Sequence, residues 1–329
     1  MNGPTYRCHR NGFILVVVLA MVLLLSALLF AFHRTARGSL EMAESLRQSE
    51  RAMQCARAGL SLAIAAVAET NDVTNDHRFA DLRTGEEAFT INGGTCTVTI
   101  TEESGRVNVN MLKDKNGQLH RRHIDQLLRL IDLLNRRKDA GQRIGYEVVA
   151  AIIDWIDPDD EVTLLPFVNA AGQGAESGYY QALRPSYRCQ NGPMDTIDEL
   201  QWVKGITPEA FALLRDLLTT TGSGRININA APQLVIESLC EQMDSALARM
   251  IVQRREFKPF DTVPELRQVP GMTDNVYLAI QDAIEVQPRD AYYRVNTQGR
   301  IEDRTLGIEA LLHRNTQTGN VDIILYRES

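Results

Sequence analysis

Residues 13–32 read FILVVVLAMVLLLSALLFAF, a run with no charged side chain and with Ser26 as its single hydroxyl. At 1.5 Å per residue, a helix of this stretch is about 30 Å long, which matches the hydrocarbon core of a bilayer. The run is therefore long and apolar enough to cross a membrane as one helix.

The sequence after this run also favours a helix. Residues 33–69 contain no proline and are rich in Ala, Leu, Glu, Arg and Gln. Apolar residues recur there at helical spacing, at Met53, Ala56, Leu60, Ile64 and Val67. We therefore expect one helix from Phe13 to Glu69, on the order of 85 Å long, with an apolar first half and an amphipathic second half.

The whole chain has a globular composition. Its 35 basic and 42 acidic side chains give a net charge of −7 over 329 residues, of which 44% are hydrophobic and 6% aromatic. This excludes a disordered chain, a collagen and a many-span membrane protein, and the length suggests two domains. An acidic chain also argues against a nucleic-acid binder, because phosphate contacts need concentrated Lys and Arg.

Basic residues precede the apolar run at Arg7, His9 and Arg10. By the positive-inside rule they keep the amino terminus in the cytoplasm and place the bulk of the chain outside, although Arg34 and Arg37 weaken the asymmetry. A cleaved secretory signal is the alternative, but its apolar region usually spans about 7 to 15 residues. We expect a single-pass anchor.

The leader RCHRNG, the pair Gly12-Phe13, the apolar run and its amphipathic extension together resemble the amino terminus of type IV pilin-like proteins. The resemblance implies that a prepilin peptidase cuts between Gly12 and Phe13 and methylates the new terminal residue. It also implies an inner-membrane protein with a periplasmic bulk.

One position departs from the general pilin pattern. Val17 stands where most pilin-like proteins carry a glutamate that pairs with the neighbouring subunit. A carboxylate in hydrocarbon costs several kcal/mol unless it is partnered, so a subunit that never docks onto a preceding one has reason to lack it. Together with the chain length, this resembles the K-class minor pseudopilins of type II secretion systems.

A repeat in the middle of the chain supports this narrower resemblance. DTIDELQWVKGITPEAF begins at Asp195, and DTVPELRQVPGMTDNVY begins 66 residues later at Asp261. GRVNVN at Gly105 and GRININ at Gly224 are a second pair that predicts short strands. These segments, with IIDWIDPDDE and NGPMDTIDEL between them, follow the order of the K-class pattern.

Each copy of the longer repeat predicts a helix, a tight turn at Gly205 or Gly271, and a second helix capped by Thr207 or Thr273. This is a helix-hairpin-helix pattern, and such turns can hold DNA phosphates on backbone N–H groups. The alternative is a purely structural role, with the two hairpins packed on each other. The surroundings are not electropositive, so we expect no nucleic acid to bind.

An acidic segment follows the sequence AIIDWI. Carboxylates are concentrated at Asp157, Asp159, Asp160, Glu161 and Glu176, with Asp154 as a further neighbour or a simple helix carboxylate. Crowded carboxylates repel unless a cation joins them, and oxygen ligands suit Ca²⁺. The resemblance also implies calcium in this region, whereas a solvated acidic loop is the alternative.

After the leader, cysteines remain at Cys55, Cys96, Cys189 and Cys240. A periplasmic location permits disulfides, and Cys189 with Cys240 is the preferred pair among three possible connectivities. No catalytic motif is recognisable, so we expect no enzyme.

The predicted fold class is α+β. A long N-terminal helix packs on a small antiparallel sheet, and a large all-α domain with two helix-hairpin-helix-like repeats is inserted. The predicted boundaries are 1–12 leader, 13–32 membrane half of the helix, 33–119 pilin-like helix and first strands, 120–286 inserted domain and 287–329 last strands. The predicted strands are Glu87–Asn92, Cys96–Glu102, Tyr292–Glu302, Gly307–His313 and Val321–Tyr326.

The resemblance implies a function as the bulky tip subunit of a short periplasmic pseudopilus. The chain would initiate or cap assembly with the I and J minor pseudopilins and help engage secreted proteins or the outer-membrane channel. The alternative is a membrane-anchored DNA receptor, or a minor pilin of a type IV pilus or transformation system.

Overall fold

The computed structural model describes residues 11–69, 82, 85, 88–91, 93–114, 117–136, 143–168 and 172–329. The helices, numbered in chain order, are α1 Asn11–Glu69, α2 Arg121–Asn135, α3 Glu147–Ile156, α4 Ser177–Gln181, α5 Pro208–Leu214, α6 Gln233–Glu237, α7 Ser245–Phe257 and α8 Asp274–Ile280. The strands are β1 Ala88–Ile91, β2 Gly94–Glu102, β3 Val107–Asn108, β4 Leu218–Thr219, β5 Ile226–Asn227, β6 Ile284–Glu285, β7 Asp290–Ile301, β8 Arg304–Asn315 and β9 Val321–Glu328. Short 3₁₀ helices lie at Val109–Met111, Ile197–Trp202 and Val263–Gln268.

Helix α1 is continuous over 59 residues, as the sequence predicts. Its apolar first half is exposed and is long and apolar enough to span a membrane. Its second half is buried on one side only, at Ala52, Cys55, Ala56, Leu60, Ala63 and Val67. The amphipathic half of α1 therefore supplies one layer of a protein core, whereas no described residue covers the apolar first half.

The other layer of that core is an antiparallel sheet in the order β1-β2-β7-β8-β9. The closest approach of helix and sheet is at Gly299 on β7, where a Cβ atom would overlap the carbonyl oxygen of Ala52. Thr297 strengthens the contact, because its hydroxyl donates to the Ala56 carbonyl oxygen at 3.0 Å. Only a glycine allows this spacing, so the position of β7 on α1 is fixed by a missing side chain.

The predicted strands are found with shifted ends. Strand β2 begins at Gly94 instead of Cys96, β7 covers Asp290–Ile301, β8 Arg304–Asn315 and β9 Val321–Glu328. Antiparallel pairing extends the last three strands over polar residues that the apolar pattern does not mark. The ends predicted for β1, Glu87 and Asn92, lie outside the described residues.

The chain leaves the sheet after Glu102 and returns at Asp290. The predicted boundary at residue 120 is therefore too late, because Val107, Val109 and Leu112 already belong to the core of the helical region. That region is also not purely helical. It contains two pairs of parallel two-residue strands, β3 with β4 and β5 with β6.

The helical region is a duplicated unit. Unit 1 runs from Gly105 to Ser223 and unit 2 from Gly224 to Val286. The partner of β3 begins at Leu218 and that of β5 begins at Ile284, so the 66-residue offset of the sequence repeat is kept in the pairing. In both units the first helix of the predicted hairpin is a 3₁₀ helix, not an α-helix.

An asparagine holds each unit together. In unit 1, the Asn110 amide donates to the carbonyl oxygens of Met194 at 3.0 Å and Thr220 at 2.9 Å and accepts from the Met194 N–H. In unit 2, Asn229 makes the same set of bonds with Phe260 and Val286. Each side chain thereby ties the opening strand to the start of the hairpin and to the end of the unit.

The units are joined to the sheet by a buried ionic cluster. Glu103 is 1% exposed and pairs with Arg106 at 2.6 Å and with Arg294 on β7 at 3.2 Å. Glu102 accepts from the side-chain amide of Asn227 in unit 2 at 2.6 Å. Glu102 ends β2 and Glu103 follows it, so both carboxylates hold the chain at the point where it enters the helical region.

The asparagine bonds generate a prediction for stability. Replacing Asn229 by Ala leaves buried backbone groups of Phe260 and Val286 without partners, so we expect the free energy of unfolding to fall by about 3 kcal/mol. Denaturant unfolding followed by circular dichroism measures the change. Asn296→Ala, at an exposed position of β7, is the control and should change little. Equal effects of the two substitutions would contradict the clamp.

Candidate metal centre

Helix α3 and the segment before α4 bring three carboxylates together. Asp154 lies in the last turn of α3, Asp157 follows directly on that helix, and Glu176 precedes α4. Oxygen atoms of all three lie within 4.8 Å of one another, and the residues are 0%, 1% and 6% exposed. Among the described residues, this is the group of acidic, histidine or cysteine side chains that could hold a metal ion.

Asp154 organises the loop around this cluster. Its two carboxylate oxygens accept the backbone N–H groups of Thr163 at 2.8 Å and Ala175 at 2.6 Å. Gly174 precedes Ala175 with φ of 70°, and a Cβ there would overlap Asp154 Oδ2. The loop can reach the carboxylate because a glycine occupies the point of contact.

The other two carboxylates are only partly satisfied. Asp157 Oδ2 is paired with Lys113, whereas Asp157 Oδ1 and both oxygens of Glu176 are buried without a hydrogen-bond partner in the described part of the chain. Buried carboxylate oxygens without partners are costly, and a bound cation would satisfy them. The donor set contains only oxygen, which is the chemistry preferred by Ca²⁺.

Burial and mutual repulsion weaken the acidity of the cluster. Burial raises the pKa of Asp154 and Asp157 above the ordinary value for aspartate. For Glu176, burial and then the neighbouring charges of Asp154 and Asp157 raise the pKa to about 8. Without a cation, Glu176 is therefore largely protonated at neutral pH, and an arriving cation would displace its proton.

The predicted ligand set is changed by this geometry. Asp157 and Glu176 meet, and Asp154, expected only as a neighbour, completes the group. Asp159, Asp160 and Glu161 are instead exposed. Asp159 lies 3.8 Å from Lys113, and Asp160 accepts from the Asn191 amide at 3.2 Å. The available signal for Asp154 was its spacing of three from Asp157, which places both carboxylates on one side of a helix end.

The hairpin turns adopt the predicted conformation, with φ of 83° at Gly205 and 92° at Gly271, and Thr207 and Thr273 cap the following helices. Lys204, the basic residue of the first turn, donates to the carbonyl oxygens of Gly172 at 2.7 Å and Gly174 at 2.9 Å.

The second turn has Pro270 in place of that lysine. Neither turn therefore offers a free lysine beside its backbone N–H groups to a phosphate. The first turn instead uses its lysine to hold the acidic loop.

The cysteines do not form the predicted bond. Cys55, Cys96, Cys189 and Cys240 are all free and buried. Cys189 contacts the Asp154 carbonyl oxygen at 3.5 Å, whereas Cys240 lines a different surface cavity between α2 and α6. The sequence favours Cys189 with Cys240 because both lie in the helical region. In the structure the two thiols lie in different parts of that region.

The predicted processing site lies in the first turn of α1. The helix begins at Asn11, so the Gly12-Phe13 bond is helical in this uncleaved chain, and the Phe13 side chain is 75% exposed.

Comparisons with known proteins agree with the duplicated architecture. Two family models, both described as type II secretion system (T2SS) protein K, match residues 105–223 and 226–287, which are unit 1 and nearly all of unit 2. Type II secretion system protein K of Pectobacterium carotovorum subsp. carotovorum is 27% identical over 239 residues, covering 70% of this chain and 69% of the relative. That of Klebsiella pneumoniae is 23% identical over 237 residues, covering 67% and 70%.

The fold is also found among solved structures. A chain in the crystal structure of the GspK-GspI-GspJ complex from enterotoxigenic Escherichia coli matches with a TM-score of 0.68 and 19% sequence identity. The match covers 88% of this chain and 99% of that one. The fold of the covered part of the chain thus occurs in a solved protein.

The raised pKa values predict how stability depends on pH in the absence of metal. Between about pH 4.5 and pH 8 the folded chain holds a proton on Glu176 that the unfolded chain releases. Stability should therefore be full below this window and fall as pH rises through it. In the presence of a chelator, we expect the melting temperature to fall from pH 5 to pH 8.

The control for this prediction is a pair of variants. Glu176→Gln removes the carboxyl group whose pKa is raised to about 8 and should reduce the pH dependence, whereas Glu161→Gln changes an exposed carboxylate and should leave it unaltered. Thermal denaturation at a series of pH values measures both. A wild-type melting temperature that rises over this interval would contradict the assignment.

Proposed function

Because the chain belongs to the protein K family of type II secretion systems, we propose that this minor pseudopilin forms the tip of the pseudopilus. In this role the chain initiates or caps the filament in the periplasm, anchored in the inner membrane by α1. Prepilin peptidase cuts between Gly12 and Phe13 and methylates Phe13. The role is one of assembly and includes no catalytic step.

The observation that carries the proposal is the position of the helical region on the sheet. At one end of the sheet, Gln48 on α1 bonds Glu302 at 2.8 Å. At the other end, Arg314 donates to the Ala68 carbonyl oxygen at 3.2 Å, near the end of α1. The helical region joins the sheet at this second end, farthest from the membrane run. A bulky region placed there suits the last position of a filament and not repeated stacking.

The absence of a carboxylate at Val17 supports the same position. A subunit at the tip has no preceding subunit whose terminal amine a membrane carboxylate would neutralise. Such a chain avoids the cost of an unpaired charge in hydrocarbon.

The I and J minor pseudopilins are the proposed partners, since the similar E. coli fold was solved in a GspK-GspI-GspJ complex. Leu40 and Leu62 on α1 are 70% and 38% exposed. These residues offer apolar surface to neighbouring helices. The helical region, at the outer end, is placed to engage secreted proteins or the outer-membrane channel.

We further propose that Asp154, Asp157 and Glu176 hold a structural Ca²⁺. The buried oxygens without partners support this, because three carboxylates face one lysine. When bound, the ion would supply positive charge that joins the end of α3 to the segment before α4.

The partner surface generates a prediction. In full-length chain co-expressed with the I and J minor pseudopilins, Leu62→Glu should reduce their co-purification about tenfold, because it places a charge in the helix contact. Leu278→Glu, at a 55% exposed position on α8, is the matched control. Retention of both partners by the Leu62 variant would contradict this contact.

The calcium proposal has a separate test. Calcium at 100 times its dissociation constant should stabilise the wild-type chain by about 2.7 kcal/mol. Glu176→Gln should lose most of this gain, and Glu161→Gln should retain it. Calorimetric unfolding with calcium or with a chelator measures the difference. An equal response of the two variants would exclude the buried cluster as the site.

A further inference from the structure

The two units of the helical region differ in what covers their long helices. A Cβ on Gly205 would lie 3.0 Å from Val148 on α3, and one on Gly271 would lie 3.7 Å from Leu247 on α7. Val148 and Leu247 therefore take equivalent places beside equivalent turns. Taking Val148 and Leu247 as equivalent, each residue of α3 corresponds to the residue of α7 that is the same number of positions along its helix.

The equivalent helices differ in exposure at their middle positions. Every residue of α3 after Glu147 is buried. On α7, a stripe at helical spacing is exposed, formed by Ala246, Met250, Gln253 and Phe257. Phe257 is 91% exposed and Met250 36%. Ala151 and Asp154, which are the counterparts of Met250 and Gln253 on α3, are 1% and 0% exposed. Unit 2 thus leaves uncovered the middle of a helix face that is buried in unit 1.

An insertion accounts for the difference. In unit 1, residues 157–193 lie between α3 and Met194, whereas in unit 2 only Lys258 and Pro259 lie between α7 and Phe260. The insertion places apolar side chains in the same core as α3, namely Leu165, Val168, Ala175 and Tyr180. It is held to α3 chiefly through backbone N–H groups, those that Asp154 accepts from Thr163 and Ala175.

Unit 2 has the features to receive a similar segment. Gln253 takes the place of Asp154 and is exposed, and its amide can both donate to and accept from a peptide backbone. One turn away is an open cavity of about 360 Å³, bounded by Ala246, Leu247, Met250, Pro270 and Val276. Pockets of this size hold small ligands or single large side chains.

The cavity has one charged residue in its lining. Asp244 is exposed there, and its carboxylate caps α7 by accepting the Leu247 N–H at 2.7 Å. Gln242 and Thr273 are the uncharged polar residues of the lining. A largely apolar cavity with an acidic rim is complementary to an apolar side chain that is followed or preceded by Lys or Arg.

We propose that the exposed stripe of α7 and this cavity bind an extended segment of another protein, in the place that the insertion takes on α3. An aromatic or large aliphatic side chain of the segment fills the cavity, a neighbouring Lys or Arg pairs with Asp244, and backbone amides bond Gln253. This surface lies in unit 2, apart from the carboxylate cluster and from the α1 residues assigned to companion helices.

The test uses the full-length chain in lipid nanodiscs, labelled with ¹³C at the methionine methyl groups. The Met250 signal is assigned by its loss in Met250→Leu. The probe is the peptide acetyl-Gly-Lys-Phe-Gly-Gly-amide, and we expect a saturable shift of the Met250 signal. A peptide with Ser in place of Phe should bind about thirtyfold more weakly, because the buried aromatic area is lost.

Two variants locate the binding. Ala246→Leu fills the cavity from an exposed helix position and should abolish the shift. Asp244→Ser keeps a capping oxygen, removes the charge and should weaken binding of the lysine peptide about threefold. Leu278→Ala, outside the cavity, is the control and should bind as the wild type does. No shift of Met250, or the same shift with the Phe and Ser peptides, would overturn the proposal.

Discussion

The pairing of β2 with β7 is the contact on which the rest of the structure depends. It joins Thr95 with Arg300 at one end and Glu102 with Tyr293 at the other, so two segments separated by the whole helical region become neighbours. Gly299 sets this pair against α1, and Glu103 begins the ionic cluster directly beyond it. The long helix, the sheet and the duplicated units are thereby held in one arrangement.

The same scaffold serves two different purposes in the duplicated units. The asparagine clamps, the parallel strand pairs and the glycine turns are equivalent, so the frame of each unit is the same. Unit 1 carries an insertion whose backbone is held by Asp154 and Lys204, and it buries a cluster of carboxylates. Unit 2 lacks the insertion and presents the corresponding helix face to solvent. The two units therefore share the same frame and differ in whether an insertion covers the long helix.

Much of this fold can be predicted from the sequence, because its main features are local. The 3.6-residue periodicity and the absence of proline predict α1, and Gly205 and Gly271 mark turns that need positive φ. The two-residue parallel strands carry too little pattern to be predicted, since their partners lie far along the chain. Only part of the candidate site can be predicted, because its carboxylates are brought together by contacts between segments that are apart in the sequence. Asp154 looks like any helix carboxylate until Thr163 and Ala175 are seen to bond it, and Asp159 is indistinguishable in sequence from the buried Asp157.

The order of strands along the chain has a consequence for biogenesis. Strands β7, β8 and β9 are synthesised after the whole helical region, yet they pack on the half of α1 whose apolar side includes Ala56, Leu60 and Val67. Closing a loop of this length is entropically slow, and long-range strand pairing delays folding. The helical units, whose apolar core is formed within their own segment, can fold first. Until residue 301 has been synthesised, the chain exposes half of an unfinished core, and in this interval it is most vulnerable to aggregation and proteolysis.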